Sequence, residues 1–300
     1  MTTPVILIIF NRPDLTRQVL EKIAEVKPEK LFIISDGPRT SQEKLLVEET
    51  RSIVRHILWK CEVVRKYADK NLGCRKSVST GLDWVFSKVD RAIILEDDCV
   101  PHASFFPYCE DLLEKYKDDE RIAMISGDNF FSNSFCYSRG GGNLYNYSYG
   151  FSRHSLIWGW ATWKRTWNTY HLAEKKGVSF LTDNYGELSN LMKTTRLQAI
   201  KKTLMGQIDT WDYILQYALL ISKGLCIFPR VNLVKNIGFD MSATHTKRST
   251  FHAKLQTDPI TFPLIHPKHI EVDTKFERKM ENTYNLFYIL FDLLRQFFRL

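Results

Sequence analysis

Three consecutive carboxylates, Glu96, Asp97 and Asp98, follow directly on the apolar run of residues 92–95. Adjacent anions beside a buried segment repel one another unless a cation or a basic side chain compensates their charge. Carboxylate oxygens are the ligands that hard divalent cations prefer, and such cations stabilise charge on phosphate groups. The triplet therefore predicts a metal and phosphate site. The alternative is a solvated loop in which Asp98 caps the helix that follows.

Two other polar turns occupy equivalent places in the sequence. Asn11 and Arg12 follow the apolar run of residues 5–10, and Asp36 follows a second run, residues 31–34. Ligands of parallel sheets bind beyond the carboxyl ends of the strands, so these side chains are predicted to converge on one edge with the acidic triplet. An Arg at a strand end suits a phosphate group, whereas Asp36 is equally consistent with an ordinary turn residue.

Apolar runs alternate with amphipathic segments over roughly the first 130 residues. Valine and leucine at positions 78, 82, 85 and 89, for example, have the spacing of one helix face. Alternation of this kind predicts an α/β fold with a mostly parallel sheet and helices on both faces. The predicted strands are residues 5–10, 31–34, 62–65, 92–95 and 122–125, and the predicted helices follow Pro13 and cover residues 41–57, 78–89 and 104–116.

The alternation ends near Gly127, and the next segment is rich in aromatic residues. We interpret residues 135–170 as an inserted segment that shapes a substrate site. Residues 186–223 are predicted to be helical, 225–228 a strand, 236–257 a polar loop and 284–300 an aromatic amphipathic helix. The aromatic segment contains Tyr137, Tyr145, Tyr147, Tyr149, Trp158, Trp160, Trp163 and Trp167, together with Gly140, Gly141 and Gly142.

The composition favours a globular protein with reduced cysteines and disfavours a nucleic-acid-binding protein. The 300 residues are 44% hydrophobic, enough for a substantial core, and carry a formal charge of +8. Basic residues form no run longer than two or three, which argues against a nucleic-acid partner. Six cysteines without a Cys-x-x-Cys pair favour reduced thiols over a zinc site or a disulfide framework.

Neither a targeting segment nor an apolar stretch of about 18 residues is evident, so we expect a cytoplasmic protein. The segment 284–300 is too short and too polar to span a bilayer. It is predicted to lie at the inner face of the membrane, or instead to pack on the core or form a homodimer contact.

The motifs also carry a resemblance. Residues 92–101, with Phe105, Phe106 and Tyr108, resemble the Glu-Asp-Asp segment of inverting GT-A glycosyltransferases of the N-acetylglucosaminyltransferase I type. Residues 5–13 resemble their first strand and donor-binding turn. The likeness covers residues 4–130 and, more loosely, 205–250.

This resemblance implies a Rossmann-like GT-A domain with an acceptor-side helical and aromatic extension. Residues 1–130 would form its nucleotide-sugar-binding half, residues 131–260 its acceptor-binding and catalytic half, and residues 261–300 a helical tail.

The resemblance also implies ligands and roles. The donor would be a UDP-sugar, the acceptor a glycan or a lipid-linked molecule, and the metal Mn²⁺ or Mg²⁺ held by Asp98. Arg12 would contact the diphosphate or ribose, Asp36 the uracil, and His245 a phosphate or the metal, unless that histidine is simply solvated. The predicted donor-binding residues are Asn11, Arg12, Asp36, Arg75, Lys76, Glu96, Asp97 and His245.

Residues 207–213 resemble the family's Trp-Asp segment, which supplies the base for inversion. The family has a second acid where this chain has Tyr213, so the catalytic base is predicted at Asp212 or Asp209. Alternatively, both acids only favour the positive end of the helix that they begin.

Aromatic faces suit stacking against sugars, which predicts an acceptor platform at Trp158, Trp160 and Trp211. Burial in the core is the commoner use of tryptophan.

The sequence thus predicts a metal-dependent, inverting hexosyl- or N-acetylhexosaminyltransferase, of the kind used in polysaccharide biosynthesis. Two alternatives are a nucleotidyltransferase and a non-catalytic protein that binds carbohydrate or a membrane surface. A nucleotidyltransferase typically has a glycine-rich basic loop after its first strand, and residues 11–14 of this chain read Asn-Arg-Pro-Asp.

Overall fold

The computed structural model describes residues 1–131, 147–239 and 255–283. The strands are β1 (Val5–Ile9), β2 (Lys30–Ser35), β3 (Glu62–Tyr67), β4 (Arg91–Glu96), β5 (Cys99–Pro101), β6 (Ile122–Ser126), β7 (Tyr149–Ser152), β8 (Trp160–Trp163), β9 (Leu225–Pro229) and β10 (Val234–Asn236). The helices are α1 (Pro13–Val26), α2 (Ser41–Ile53), α3 (Cys74–Phe86), α4 (Phe105–Lys115), α5 (Lys164–Asp183), α6 (Tyr185–Leu191), α7 (Thr194–Leu204) and α8 (Asp212–Ser222). A further helical segment covers residues 274–283.

The central sheet has eight strands in the order β3-β2-β1-β4-β8-β6-β9-β7. Strand β1 lies between β2 and β4 and is parallel to both, and β6 is parallel to β9. Strands β8 and β7 run antiparallel to their neighbours. The predicted α/β class with a mostly parallel sheet is therefore confirmed.

Strand β1 shows how the sheet is covered on both faces. All five of its residues are buried, and successive side chains point to opposite faces. Ile6 and Ile8 belong to a core cluster with residues of α3, α5, α7 and α8. Leu7 and Ile9 belong to a second cluster with residues of α1 and α4. The continuous apolar run thus reflects a strand buried between two helical layers.

From residue 149 onward, the structure of the aromatic segment differs from the predicted insertion. Its residues form β7 and β8, and β8 lies inside the sheet between β4 and β6. Trp160 pairs with both Ile94 and Ser126, and the hydroxyl of Thr162 donates to the carbonyl of Ala123 at 2.7 Å. Residues 149–152 and 160–163 are therefore core strands and not an insertion. The glycine triplet at 140–142 lies outside the described residues.

A second, two-stranded sheet matters for the site. Strand β10 pairs antiparallel with β5, which follows the acidic triplet, and the register places Asn236 opposite Cys99. This pairing holds the chain beyond β10 beside the end of β4. The next residue, Ile237, donates its backbone N–H to the carbonyl of Asp98 at 2.9 Å.

In the described ranges, no helix has the length and apolar character needed to cross a membrane. The predicted amphipathic helix of residues 284–300 lies outside those ranges, so its contact with a membrane or a second copy stays a prediction. The five cysteines that the structure describes are free thiols.

Candidate functional site

The acidic triplet lies at the carboxyl edge of the sheet, as predicted. Glu96 ends β4 and is paired in register with Ile8 of the adjacent β1. The turn after β1 therefore lies beside the triplet. Arg12 donates from Nη1 to Oδ2 of Asp98 at 2.9 Å and forms an ion pair through Nη2 with Oδ1 of Asp97.

Asp97 is the buried member of the triplet, with 2% of its surface exposed. Its Oδ1 faces Arg12, and its Oδ2 accepts a hydrogen bond from the backbone N–H of Phe10 at 3.2 Å. Both carboxylate oxygens thus hold the turn after β1 against the end of β4. Both oxygens of Asp97 thus already accept protein donors, and its predicted role in donor binding stays a prediction.

The triplet carries more negative charge than Arg12 neutralises. Burial, together with the charges of Asp98 and Asp97, raises the pKa of Glu96 to about 8, and Arg12 offsets this only in part. Burial alone would lower the pKa of Arg12, but Asp97 and Asp98 outweigh burial and raise it above its ordinary value. Burial and the neighbouring carboxylates therefore favour the protonated form of Glu96, and Asp97 and Asp98 share one guanidinium.

The amino end of α3 brings further acids to the same edge. Burial raises the pKa of the Cys74 thiol, and the charges of Glu96, Asp212, Asp209 and Asp36, in this order, raise it further. Asp212 also raises the pKa of Glu96. Residues from β4, from the loop after β2 and from the start of α8 are thus brought together around one thiol.

Asp209 and Asp212 have different partners although they are three residues apart. Asp209 accepts the backbone N–H groups of Cys74 at 2.9 Å and of Arg75 at 3.1 Å, both in the first turn of α3. Asp212 is the first residue of α8, and its Oδ1 accepts a hydrogen bond from the hydroxyl of Thr210. The structure therefore places Asp209 as a cap on α3 and leaves the side chain of Asp212 half-buried, near enough to Glu96 for its charge to raise the pKa of that carboxyl.

Asp36 is committed to protein contacts. Its Oδ1 accepts the backbone N–H groups of Gly37 at 2.8 Å and Leu72 at 2.9 Å, and its Oδ2 accepts the side-chain amide of Asn71 at 2.9 Å. Only 7% of its surface is exposed. These bonds fix the loop before α3 to the end of β2. A contact with uracil stays a prediction.

Three other predicted donor-binding residues, Asn11, Arg75 and Lys76, have surroundings that differ from those of the acidic triplet. Asn11 donates to Glu43 of α2 at 2.7 Å. Arg75 forms an ion pair with Glu174 of α5 at 2.9 Å and donates to the carbonyl of Thr203. Lys76 is exposed. A cavity of about 430 Å³ next to them is lined by Arg75, Lys76, Ser79, Glu174, Gly206, Ile208 and Asp209.

The acceptor platform predicted from tryptophan needs correction at two positions. Trp160 and Trp211 are 1% and 2% exposed and stack on each other with ring centroids 5.5 Å apart. Rings packed in this way have no face open to a sugar, and they follow the commoner use of tryptophan. Trp158 is half-buried and packs edge-on against Phe130 and Phe239.

Two residues at this edge, Gly238 in the predicted polar loop and Asp128, were not among the predicted site residues. A Cβ atom added at Gly238 would collide with Oδ2 of Asp98 and lie 3.0 Å from Nη1 of Arg12, so the backbone after β10 covers this ion pair closely. Asp128, just beyond β6, is fully buried, and its Oδ2 accepts the backbone N–H of Trp158 at 3.0 Å. Their positions after strand ends were the available signal. His245 lies outside the described residues.

Comparison with known proteins gives weak likenesses. No protein-family model and no curated protein matches the sequence. The structure is similar to UDP-glucose pyrophosphorylase complexed with UDP-glucose, with a TM-score of 0.36 and 8% identity over 76% of this chain and 90% of that chain. It is also similar to apo mouse xyloside xylosyltransferase 1, with a TM-score of 0.36 and 10% identity over 74% and 82% of the two chains. Likeness at this level carries no argument about function.

Proposed function

We propose that the chain is a metal-dependent glycosyltransferase that moves a sugar from a UDP-sugar to a hydroxyl acceptor with inversion. One observation carries the proposal: the acids that end β4, the Arg that ends the turn after β1 and the acid that begins α8 meet at the carboxyl edge of the sheet. Such an edge is where α/β sheets bind their ligands.

Arg12 and Asp98 serve the leaving diphosphate in this proposal. A guanidinium gives a diphosphate two parallel charge-assisted hydrogen bonds. The donor set fits a hard divalent cation, because the triplet holds excess negative charge and offers only oxygen ligands. A bound cation would stabilise the negative charge of the departing nucleotide.

The protein supplies few ligands of its own for that cation. Over the described residues, no group of three His, Cys, Asp or Glu side chains is arranged as a metal shell. Asp98 is the member of the triplet that we assign as ligand, since it is half-buried and, within the described part of the chain, its Oδ1 accepts a hydrogen bond only from the weak thiol donor of Cys99, at 3.4 Å. Diphosphate oxygens would complete the shell.

Asp212 is the base in this proposal, and Glu96 lies beside it for contact with the sugar hydroxyls. A base must be ionised and near the acceptor hydroxyl, and the contacts of Asp209 with two backbone amides suit a positioning role instead. Trp158 and its partner rings Phe130 and Phe239 offer the aromatic surface for a glycan or a lipid-linked acceptor.

The substitution Asp98→Asn tests the proposal. We expect calorimetry to show that Mn²⁺ strengthens UDP binding to the parent protein and no longer does so in the variant, because an amide is a weaker cation ligand than a carboxylate. Thermal unfolding should change little, since the substitution removes a charge from a crowded anionic site. The matched control is Asp118→Asn, an exposed acid that precedes β6 at the opposite edge of the sheet. Equal Mn²⁺ dependence in all three proteins would remove Asp98 from the metal site.

Product analysis separates the rival functions. Incubation with a panel of UDP-sugars and Mn²⁺ should release UDP as the sugar passes to an added hydroxyl acceptor or to water. With added pyrophosphate, a nucleotidyltransferase would instead form UTP and a sugar 1-phosphate. A non-catalytic binding protein would form neither product while still being stabilised by its ligand.

A further inference from the structure

Arg12 occupies the place where a cation would bind. Its two terminal nitrogens contact Asp98 and Asp97, and its side chain is largely buried, with 19% exposed. The backbone at Gly238 packs so closely on Oδ2 of Asp98 and Nη1 of Arg12 that a methyl group has no room. In the free protein, Arg12 thus compensates part of the negative charge of the triplet.

We propose that Arg12 excludes a free divalent cation from Asp98 and admits the cation only together with a diphosphate. This inference rests on the proposed function, because it concerns the binding of the donor. It assigns Arg12 a specificity role beyond a simple phosphate contact: the side chain selects the cation–diphosphate complex over the cation alone.

The charge balance gives the reason. A cation that approaches Asp98 while Arg12 is paired with it meets a positive charge held by an ion pair of 2.9 Å, in a partly buried site where charges are weakly screened. A diphosphate offers Arg12 an alternative bidentate partner, so the guanidinium can leave the triplet without becoming an unpaired buried charge. The carboxylates are then free for the cation that accompanies the diphosphate.

Two consequences of opposite sign follow for Arg12→Gln. Loss of the guanidinium removes a contact with the diphosphate, so UDP alone should bind more weakly. It also exposes the uncompensated charge of Asp97 and Asp98, so Mn²⁺ alone should bind more tightly. If Arg12 served only as a phosphate contact, the substitution would weaken the binding of UDP and leave the affinity for free Mn²⁺ unchanged.

The experiment is a titration of the full chain with Mn²⁺, with free Mn²⁺ measured by electron paramagnetic resonance. For the parent protein we expect UDP to tighten Mn²⁺ binding by about 5- to 150-fold, the usual range of coupling between two ligands. In Arg12→Gln, Mn²⁺ alone should bind at least about 5-fold more tightly than to the parent, and the coupling to UDP should shrink. The matched control is Arg91→Gln, which removes a half-buried, ion-paired arginine from the other end of β4.

The titrations can contradict either the inference about Arg12 or the proposed function. Equal Mn²⁺ affinity of the free parent and the free Arg12→Gln protein overturns the inference, as does a parent protein that binds UDP but has the same Mn²⁺ affinity with and without it. Failure of UDP to bind the parent with or without Mn²⁺ overturns the proposed function instead, while the Mn²⁺ titration of Arg12→Gln still tests whether Arg12 excludes the cation. If circular dichroism shows that Arg12→Gln does not fold, Arg12→Lys replaces it. Lysine keeps the charge without the forked geometry and should give an intermediate Mn²⁺ affinity.

Discussion

The aspartates at this site have different hydrogen-bond partners. Asp97 is held by Arg12 and a backbone amide, Asp36 by the amide of Gly37 and two donors of the neighbouring loop, and Asp209 by two amides of α3. Asp212 accepts a hydrogen bond from the Thr210 hydroxyl, a partner that can rotate away. Among these four acids, Asp212 has the carboxylate that is least committed to holding the fold.

The substitution Asp212→Asn should separate catalysis from binding. Removal of a general base lowers the rate by about 100-fold or more, whereas UDP and Mn²⁺ should bind within a few-fold of the parent because neither ligand contacts this residue in our proposal. The measurement is steady-state transfer together with calorimetric binding of UDP. Thr210→Val is the control, since it removes the hydrogen-bond donor and leaves the carboxylate. A nearly normal rate in Asp212→Asn would exclude the residue as the base.

At the scale of elements, α3 is capped by a residue from a distant part of the chain. Its N-cap, Gly73, has φ 83° and no side chain to offer, and Asp209 supplies the missing acceptor from 135 residues away. The carboxylate also favours the positive end of the helix dipole. Because Asp209 and Asp212 share one short segment, this cap fixes the start of α8 relative to the acids around Cys74.

Substitutions at Asp209 distinguish a cap from a base. Asn keeps an acceptor oxygen for the amides and Ala does not, so Asp209→Asn should retain most of the transfer rate while Asp209→Ala loses it together with about 1 kcal/mol of stability. Hydrogen exchange at the amides of Cys74 and Arg75, which a base role would not affect, should become faster only in the Ala variant.

Gly73→Ala tests the same contact from its other side. A Cβ atom at Gly73 would lie 2.6 Å from Oδ2 of Asp209, and φ 83° is unfavourable for alanine. This variant should therefore reproduce the effects of Asp209→Ala. An Asp209→Asn variant as inactive as Asp209→Ala, with normal exchange at both amides, would identify Asp209 as the base.

Some of the strands could be predicted from the sequence and others could not. Strands β1, β2 and β4 are continuous apolar runs between helical patterns, and polar residues that follow such strands must lie at one edge. Strand β8 was missed because four residues, two of them tryptophans, show no period and depend on neighbours distant in sequence. For the same reason, the pairing of Arg12 with the triplet and the cap from Asp209 are tertiary contacts that local patterns do not encode.

At the scale of the whole molecule, a buried polar cluster joins the last described helical segment to the sheet. Glu277 accepts hydrogen bonds from the hydroxyl of Ser152 and the backbone of Arg153, beside β7. The next residue, His154, is fully buried and contacts Arg196 of α7 through Nδ1 at 2.6 Å. Its Nε2 lies 3.3 Å from Oε1 of Glu281. The imidazole of His154 thus links the segment after β7 to α7 and to the helical segment 274–283.

That imidazole should make stability depend on pH in a defined direction. Burial lowers the pKa of His154 well below 6.5, and the charges of Arg196 and Arg153 lower it further. Arg196 can only donate, so Nδ1 must accept and the folded protein keeps the ring neutral. Below pH 6.5 the unfolded chain binds a proton that the folded chain does not, and the contribution of His154 to stability falls as the pH falls.

The comparison of His154→Asn with the parent isolates this effect. Buried acids with a raised pKa, such as Asp128, act in the opposite direction, because their folded state binds a proton more readily than the unfolded chain, so the stability curve of the parent alone mixes both. Asparagine keeps an acceptor for Arg196 but does not titrate. Urea unfolding at several pH values should show the variant less stable at pH 8, with a deficit that shrinks as the pH falls below about 6.5. A deficit that stays constant over this range would mean that His154 is protonated in the folded protein, with Glu281 as its counter-ion.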